Sequence, residues 1–136
     1  MSITLSDQDK NTLRTAAYGA VALLSAAGAA GGSPHKIATN GSIALASATG
    51  PVGHVLAEKS KVKNLNGKSV AEIADHVLPA LAEAASLLKK QDPAEAANFR
   101  SIVSIAIESA NRAHQGEPSP TMVEMTRKIT EALDAA

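Results

Sequence analysis

Few residues of this sequence could perform chemistry, and the first pair lies near the middle of the chain. Glu72 and His76 are four positions apart, a spacing that places both side chains on one face of a helix, within reach of one metal ion. Glu83 follows on the same side, which lies opposite an apolar stripe. We therefore expect a solvent-exposed helix face, with a metal-dependent enzyme as the alternative.

Three further residues suggest a binding site. His35 and Lys36 follow Pro34 in the first turn of a predicted helix, where free backbone N–H groups and two cationic side chains could bind an anion, although a simple capped turn also explains them. His54 lies in apolar surroundings after Gly50 and Gly53. We expect it to be buried and hydrogen-bonded, with a ligand pocket as the alternative. These residues define the alternative of a small-molecule or anion-binding helical bundle.

Composition and motifs exclude most other chemistry. The chain has no cysteine, which removes thiolate catalysis and cysteine-based zinc sites. It contains no P-loop, no Gly-x-Gly-x-x-Gly and no Gly-x-Ser-x-Gly motif. Formal net charge is zero, and the lysine-rich loop at 59–68 has no interleaved aromatic residue to stack on bases, so we expect a solvated linker and no nucleic-acid partner. The sequence predicts neither an enzyme nor a cofactor.

The elements that would position these residues are all helices. Apolar residues recur at helical spacing and no segment alternates as a strand does, which predicts a compact all-α bundle of five to six helices. Caps and breakers place helices from Ser6 to about Ala29, from Ser33 to about Thr49, over a short piece at 52–58, from Ser69 to Lys90, from Asp92 to Gly116, and from Ser119 onward.

Capping boxes and one apolar face give the sharpest local predictions. The pairs Ser6/Asp9, Ser69/Glu72 and Asp92/Glu95 have the three-residue spacing at which the two ends of a first turn cap each other. The last helix is expected to bury Met122, Val123, Met125, Ile129 and Leu133.

An internal repeat organises the predicted helices. A shift of 86 positions aligns residues 13–50 with 99–136, matching Arg14 with Arg100 and Ser33-Pro34 with Ser119-Pro120. Internal similarity of this kind indicates repeated architecture. We therefore predict one domain over 1–136, in which pseudo-repeated hairpins at 6–50 and 92–136 flank a middle loop and helix at 51–91.

The two hairpins differ in charge. The C-terminal hairpin has an ordinary charged face, whereas helix 1 carries no charge after Arg14 and residues 37–57 carry none at all. Such helices either form the centre of a monomeric bundle or contribute to a homo-oligomer interface. We favour a homodimer through helices 1 and 2, the first two predicted helices at 6–29 and 33–49, because isologous dimers are the commonest oligomers. The preferred function is a non-enzymatic interaction or scaffold protein with an unknown protein partner or small ligand.

The repeated hairpin resembles the tellurite-resistance TerB-like helical family. The similarity lies in Thr15–Ile43 and Phe99–Leu133, each an Ala-rich helix, a short Gly-containing turn and an amphipathic helix. It implies two pseudo-symmetric helical halves and a role in stress response. Family members often carry an acidic Asp-Gly turn associated with metal binding. The turns at 30–34 and 116–120 lack Asp-Gly, so no metal-binding residue is carried over.

The N-terminal helix also bears on localisation. Residues 15–30 are uncharged and resemble the apolar core of a secretory signal peptide, but Asp7 and Asp9 offset the preceding basic residues. We expect a folded helix in a cytoplasmic protein, with secretion as the alternative. Gly31 and Gly32 interrupt the apolar run before it reaches the length of a membrane span.

Overall fold

The structure, a computed structural model, describes residues 4–28, 41, 43–45, 49–57, 69–113 and 120–134. Within these ranges the chain forms helices and no strand, which confirms the predicted all-α class. Five helices have defined bounds: α1 Asp7–Gly28, α2 Gly50–Ala57, α3 Val70–Gln91, α4 Pro93–Ala113 and α5 Pro120–Asp134. Residues 43–45 are also helical, and the predicted turn at Ser33-Pro34 lies outside the described residues.

Two of the three predicted capping boxes form. At the start of α1 the Ser6 hydroxyl accepts the Asp9 N–H at 3.0 Å, while the Asp9 carboxylate accepts the Ser6 N–H at 3.2 Å. Ser69 and Glu72 make the same reciprocal pair before α3, each bond 3.2 Å long. These bonds satisfy N–H groups that have no partner within the helix, which fixes both helix starts locally.

A single residue, Asp92, ends α3 and caps the start of α4. Asp92 donates its N–H to the Leu88 carbonyl at 2.7 Å and so closes α3. Its carboxylate accepts the Ala94 N–H at 3.0 Å, and Pro93 occupies the first position of α4. Proline is favoured there because its ring presets the helical φ and the position needs no N–H donor. The predicted boundary at Asp92 is confirmed.

Helix α1 lies at the centre of the described helices. It contacts α2, α3, α4 and α5, and no residue from Thr12 to Gly28 is exposed. One cluster of buried apolar side chains joins all five helices, and its largest fully buried members are Phe99, Leu13, Leu23, Leu24, Leu45, Leu56, Leu81, Leu88, Met122, Ile129 and Val52. For α1, the central-helix explanation of its missing charges is therefore sufficient.

Helices α1 and α3 approach each other through a glycine. A Cβ built on Gly19 would lie 2.6 Å from Cγ2 of Val77, a side chain that is fully buried. Contacts this short do not occur between real carbon atoms, so the approach of the two helices depends on the missing side chain.

The structure corrects one prediction about the core of the last helix. The internal repeat stays a prediction. Val123 keeps 57% of its surface exposed, although the sequence placed it on the core side of the last helix. Its neighbours Met122, Met125, Ile129 and Leu133 are buried as expected. Val123 is about 100° from Met122 on a helix of 3.6 residues per turn, which turns it away from the buried stripe.

Candidate functional site

His54 is exposed, which corrects the expectation that it is buried. Helix α2 buries Val52, Val55 and Leu56, spaced three and one apart, so these residues occupy one face and His54 falls on another. The apolar neighbours of His54 in sequence are therefore not its neighbours across the core. His35 and Lys36, the other predicted binding residues, lie outside the described residues, as do the lysines of the 59–68 loop.

Glu72 and His76 both lie on the exposed face of α3, as the sequence favoured. The Glu72 carboxylate accepts the N–H of Ser69 and so stabilises the start of its own helix. Glu83 is exposed on the same helix. Across the part of the chain that the structure describes, no three His, Asp or Glu side chains come together as a metal site would require.

The polar residues that the fold does bring together surround helix α2, beginning at its C-terminal end. Arg14 is only 7% exposed, and its Nε–H donates to the Val55 carbonyl at 3.2 Å. One turn further along α1, the Tyr18 hydroxyl donates to the Leu56 carbonyl at 2.7 Å. Both carbonyls belong to the last turn of α2, where helix carbonyls have no partner within the helix. The guanidinium charge also complements the negative end of the helix dipole.

The N-terminal end of α2 is held by α4. A Glu95 carboxylate oxygen accepts the Val52 N–H at 3.3 Å, and the Asn98 amide donates to the Thr49 carbonyl at 3.1 Å. The predicted Asp92/Glu95 capping box is therefore wrong: the Asp92 carboxylate accepts the N–H of Ala94, the Asp92 N–H donates to the Leu88 carbonyl, and the Glu95 side chain reaches α2 instead. A carboxylate beside a helix N-terminus is the favourable polarity.

Gly50 makes the close fit at this end possible. Its φ is +82°, in the left-handed region that side chains other than glycine rarely adopt. A Cβ on Gly50 would also lie 2.9 Å from the Asn98 side-chain nitrogen. The four polar side chains at the two ends of α2, which we call the α2 clamp, are thus Arg14, Tyr18, Glu95 and Asn98.

The electrostatics of the α2 clamp centre on Tyr18. Partial burial raises the pKa of Tyr18 above its ordinary value of 10.0, while the positive charge of Arg14 opposes this shift. The phenol of Tyr18 therefore stays protonated and remains a hydrogen-bond donor to α2 throughout the neutral range.

Outside the α2 clamp, on the exposed surface of α5, a hydrogen bond from Arg127 lowers the pKa of Glu124.

Three large apolar side chains are exposed in the described parts of the chain. Ile43 is 58% exposed, Ile105 54% and Val123 57%. Ile105 and Val123 lie on α4 and α5, whose outer faces carry several charged residues. Ile43 lies in the uncharged stretch at 37–57 and so has a different setting in sequence.

Local sequence patterns missed the α2 clamp. The available signal was Arg14 and Tyr18 at a four-residue spacing on an otherwise apolar helix. Comparison with known proteins adds no assignment: no family model matches the chain, and no curated protein or solved structure matches it either. None of the helices in the described ranges has the length and apolar character needed to cross a membrane.

Proposed function

We propose that this chain is a non-catalytic helical interaction protein that associates with a second copy of itself through the segment containing Ile43. The observation that carries the proposal is the exposure of Ile43, at 58%, within a stretch of 21 residues, 37–57, that lacks any Asp, Glu, Lys or Arg. Interface cores are depleted in charged residues, and single exposed apolar side chains on charged helices are common on any surface. Charge depletion therefore distinguishes Ile43 from Ile105 and Val123.

The proposal narrows the contact expected from the sequence. The sequence made the first two predicted helices, at 6–29 and 33–49, candidates for a dimer interface, but α1 has no exposed residue from Thr12 to Gly28. Most side chains in this stretch are buried within their own chain and the others are only partly exposed, so it offers little surface to a partner. The contact is accordingly assigned to the segment that contains Ile43. The resemblance to the TerB-like family, and the stress-related role it implies, stay predictions.

A non-catalytic role is supported by what the polar side chains do. Arg14, Tyr18, Glu95 and Asn98 hold the ends of α2, and Glu72 caps α3. Each is used in building the fold. The polar side chains that the fold brings together around α2 thus serve the fold, and the interaction hypothesis requires no catalytic group.

Sedimentation velocity tests the proposal. We expect the wild-type chain to form dimers between about 1 and 100 μM, a range that covers weak homodimers. Ile43→Lys should lower the dimer affinity by at least about tenfold, which corresponds to about 1.4 kcal/mol. Ile105→Lys and Val123→Lys are matched controls because their exposure is nearly equal, at 54% and 57%.

The controls should dimerise as the wild type does, and circular dichroism should show that all three variants keep their helical content. A wild-type chain that stays monomeric throughout this range contradicts the proposal. Equal weakening by all three substitutions contradicts it as well, because the contact would then not depend on the segment containing Ile43.

A further inference from the structure

Helix α2 stands apart from the other described helices in its contacts. Helices α1, α3, α4 and α5 form a four-helix group in which every pair is in contact, whereas α2 contacts only α1 and α4 among the helices with described bounds. The four-helix group therefore keeps all of its own helix–helix contacts when α2 is taken away.

Helix α2 cannot be stable alone. It has eight residues, fewer than an isolated helix needs in water, and three of them are Gly50, Pro51 and Gly53. Glycine is among the poorest helix formers. Its helical state consequently depends on docking, and loss of docking and loss of helix should occur together as one cooperative step.

Docking combines one apolar face with polar bonds at both ends. Val52, Val55 and Leu56 are 0%, 5% and 0% exposed. The α2 clamp adds hydrogen bonds from α1 to the C-terminal carbonyls and from α4 around the N-terminus. Since two separate helices supply these bonds, α2 is fixed at both ends only while α1 and α4 keep their relative position.

We propose that α2 is a detachable unit, which undocks from a four-helix group that stays folded, and that the α2 clamp sets how often it does so. Undocking uncovers an apolar groove between α1 and α4, bounded by Arg14 and Tyr18 on one side and by Glu95 and Asn98 on the other. The device is conformational and does not depend on whether the chain forms a dimer.

Hydrogen exchange followed by mass spectrometry tests this inference on the full chain, at a concentration where sedimentation shows monomer. In the wild type, amides at 53–57 should exchange faster than the amides of α3 between Val77 and Leu88. Tyr18→Phe removes one hydrogen bond at little change in volume and should speed exchange in α2 by about three- to tenfold. Exchange in α3 should not change.

Asn98→Ala, at the opposite end of α2, should have the same local effect, and it provides a second variant should Tyr18→Phe fold poorly. Arg100→Ala is the matched control, because Arg100 occupies the position of Arg14 in the repeat alignment but is exposed and bonds to Asp134. It should leave α2 exchange unchanged.

The inference is overturned if α2 and α3 amides exchange at the same rate in the wild type, since α2 would then open only with the whole protein. It is also overturned if both clamp variants accelerate α2 and α3 by the same factor. Because these measurements are made on the monomer, they are independent of the outcome for the proposed dimer.

Discussion

Helices α1 and α4 occupy matching positions in the repeat alignment, yet α1 buries residues on more of its faces than α4 does. Six aligned pairs are buried in both helices: Leu13/Phe99, Ala16/Ile102, Ala17/Val103, Ala20/Ala106, Val21/Ile107 and Leu24/Ala110. Helix α1 buries a second set that includes Arg14, Gly19 and Leu23. The aligned residues of α4 are Arg100 and Ile105, which are exposed, and Ser109, which is partly exposed.

The difference in burial between α1 and α4 explains why α1 carries no charge after Arg14. A helix that packs on one side keeps a polar face, while a helix surrounded by neighbours cannot. The charge asymmetry between the two hairpins therefore follows, for α1, from the number of helices that cover it. Ile43 differs from α1, because residues 37–57 around it also lack Asp, Glu, Lys and Arg, yet its side chain is exposed.

The largest expected effect comes from the second buried face of α1. Leu23 is 0% exposed, and Leu23→Ala should lower the free energy of unfolding by about 2–5 kcal/mol, because it removes buried methyl groups and leaves a cavity. Ser109→Ala, at the aligned position of α4, should change it by less than about 0.5 kcal/mol. Urea unfolding followed by circular dichroism measures both values. Similar losses of unfolding free energy for Leu23→Ala and Ser109→Ala would contradict the claim that α1 has a second buried face that α4 lacks.

A smaller effect is expected at the next pair, Gly19 and Ile105. Gly19→Val places a β-branched side chain where a Cβ alone would lie 2.6 Å from Val77, and overpacking of this kind costs about 1–3 kcal/mol. Ile105→Val changes an exposed side chain and should cost less than about 0.5 kcal/mol.

Val77→Ala makes room for the new side chain at position 19 and identifies the cause. In the Gly19→Val background it should recover part of the lost stability, which a double-mutant cycle measures as a coupling energy. Strict additivity of the two substitutions would show that the close approach of α1 and α3 is not the origin of the cost.

The sequence was sufficient for the helices because their determinants are local. Ser6 with Asp9, and Ser69 with Glu72, cap helices through groups three residues apart. The apolar stripe of α1 follows from 3.6-residue periodicity. The same periodicity could have placed His54 outside the core, since Val52, Val55 and Leu56 already define the buried face of α2.

The α2 clamp was beyond prediction from local patterns because its partners are far apart in sequence. Arg14 lies 41 residues from Val55, and Glu95 lies 43 residues from Val52. Nothing within one helix specifies which carbonyl a buried arginine will meet. Glu95 shows the conflict directly: its spacing from Asp92 fits a capping box, yet tertiary packing places its carboxylate on α2 instead.

The smallest expected effect concerns Tyr18, whose hydrogen bond to α2 has no counterpart at Ser104, the aligned residue of α4. Burial raises the pKa of Tyr18 above 10.0, so the native state holds the phenol proton more tightly than the unfolded state does. Its contribution to stability is therefore complete below about pH 10 and is lost as the pH rises through the pKa of the folded state. Above that pH, unfolding should become easier in the wild type than in Tyr18→Phe, after both are referred to their stability at neutral pH.

The chain is well suited to this measurement, because Tyr18 is its one tyrosine and it has no tryptophan. The near-ultraviolet absorbance of phenolate therefore follows Tyr18 alone. Its midpoint in the native protein should lie above the midpoint of the same protein unfolded in urea, since only the native state buries the phenol. A native midpoint equal to or below the unfolded one would show that Arg14, and not burial, dominates at this end of α2.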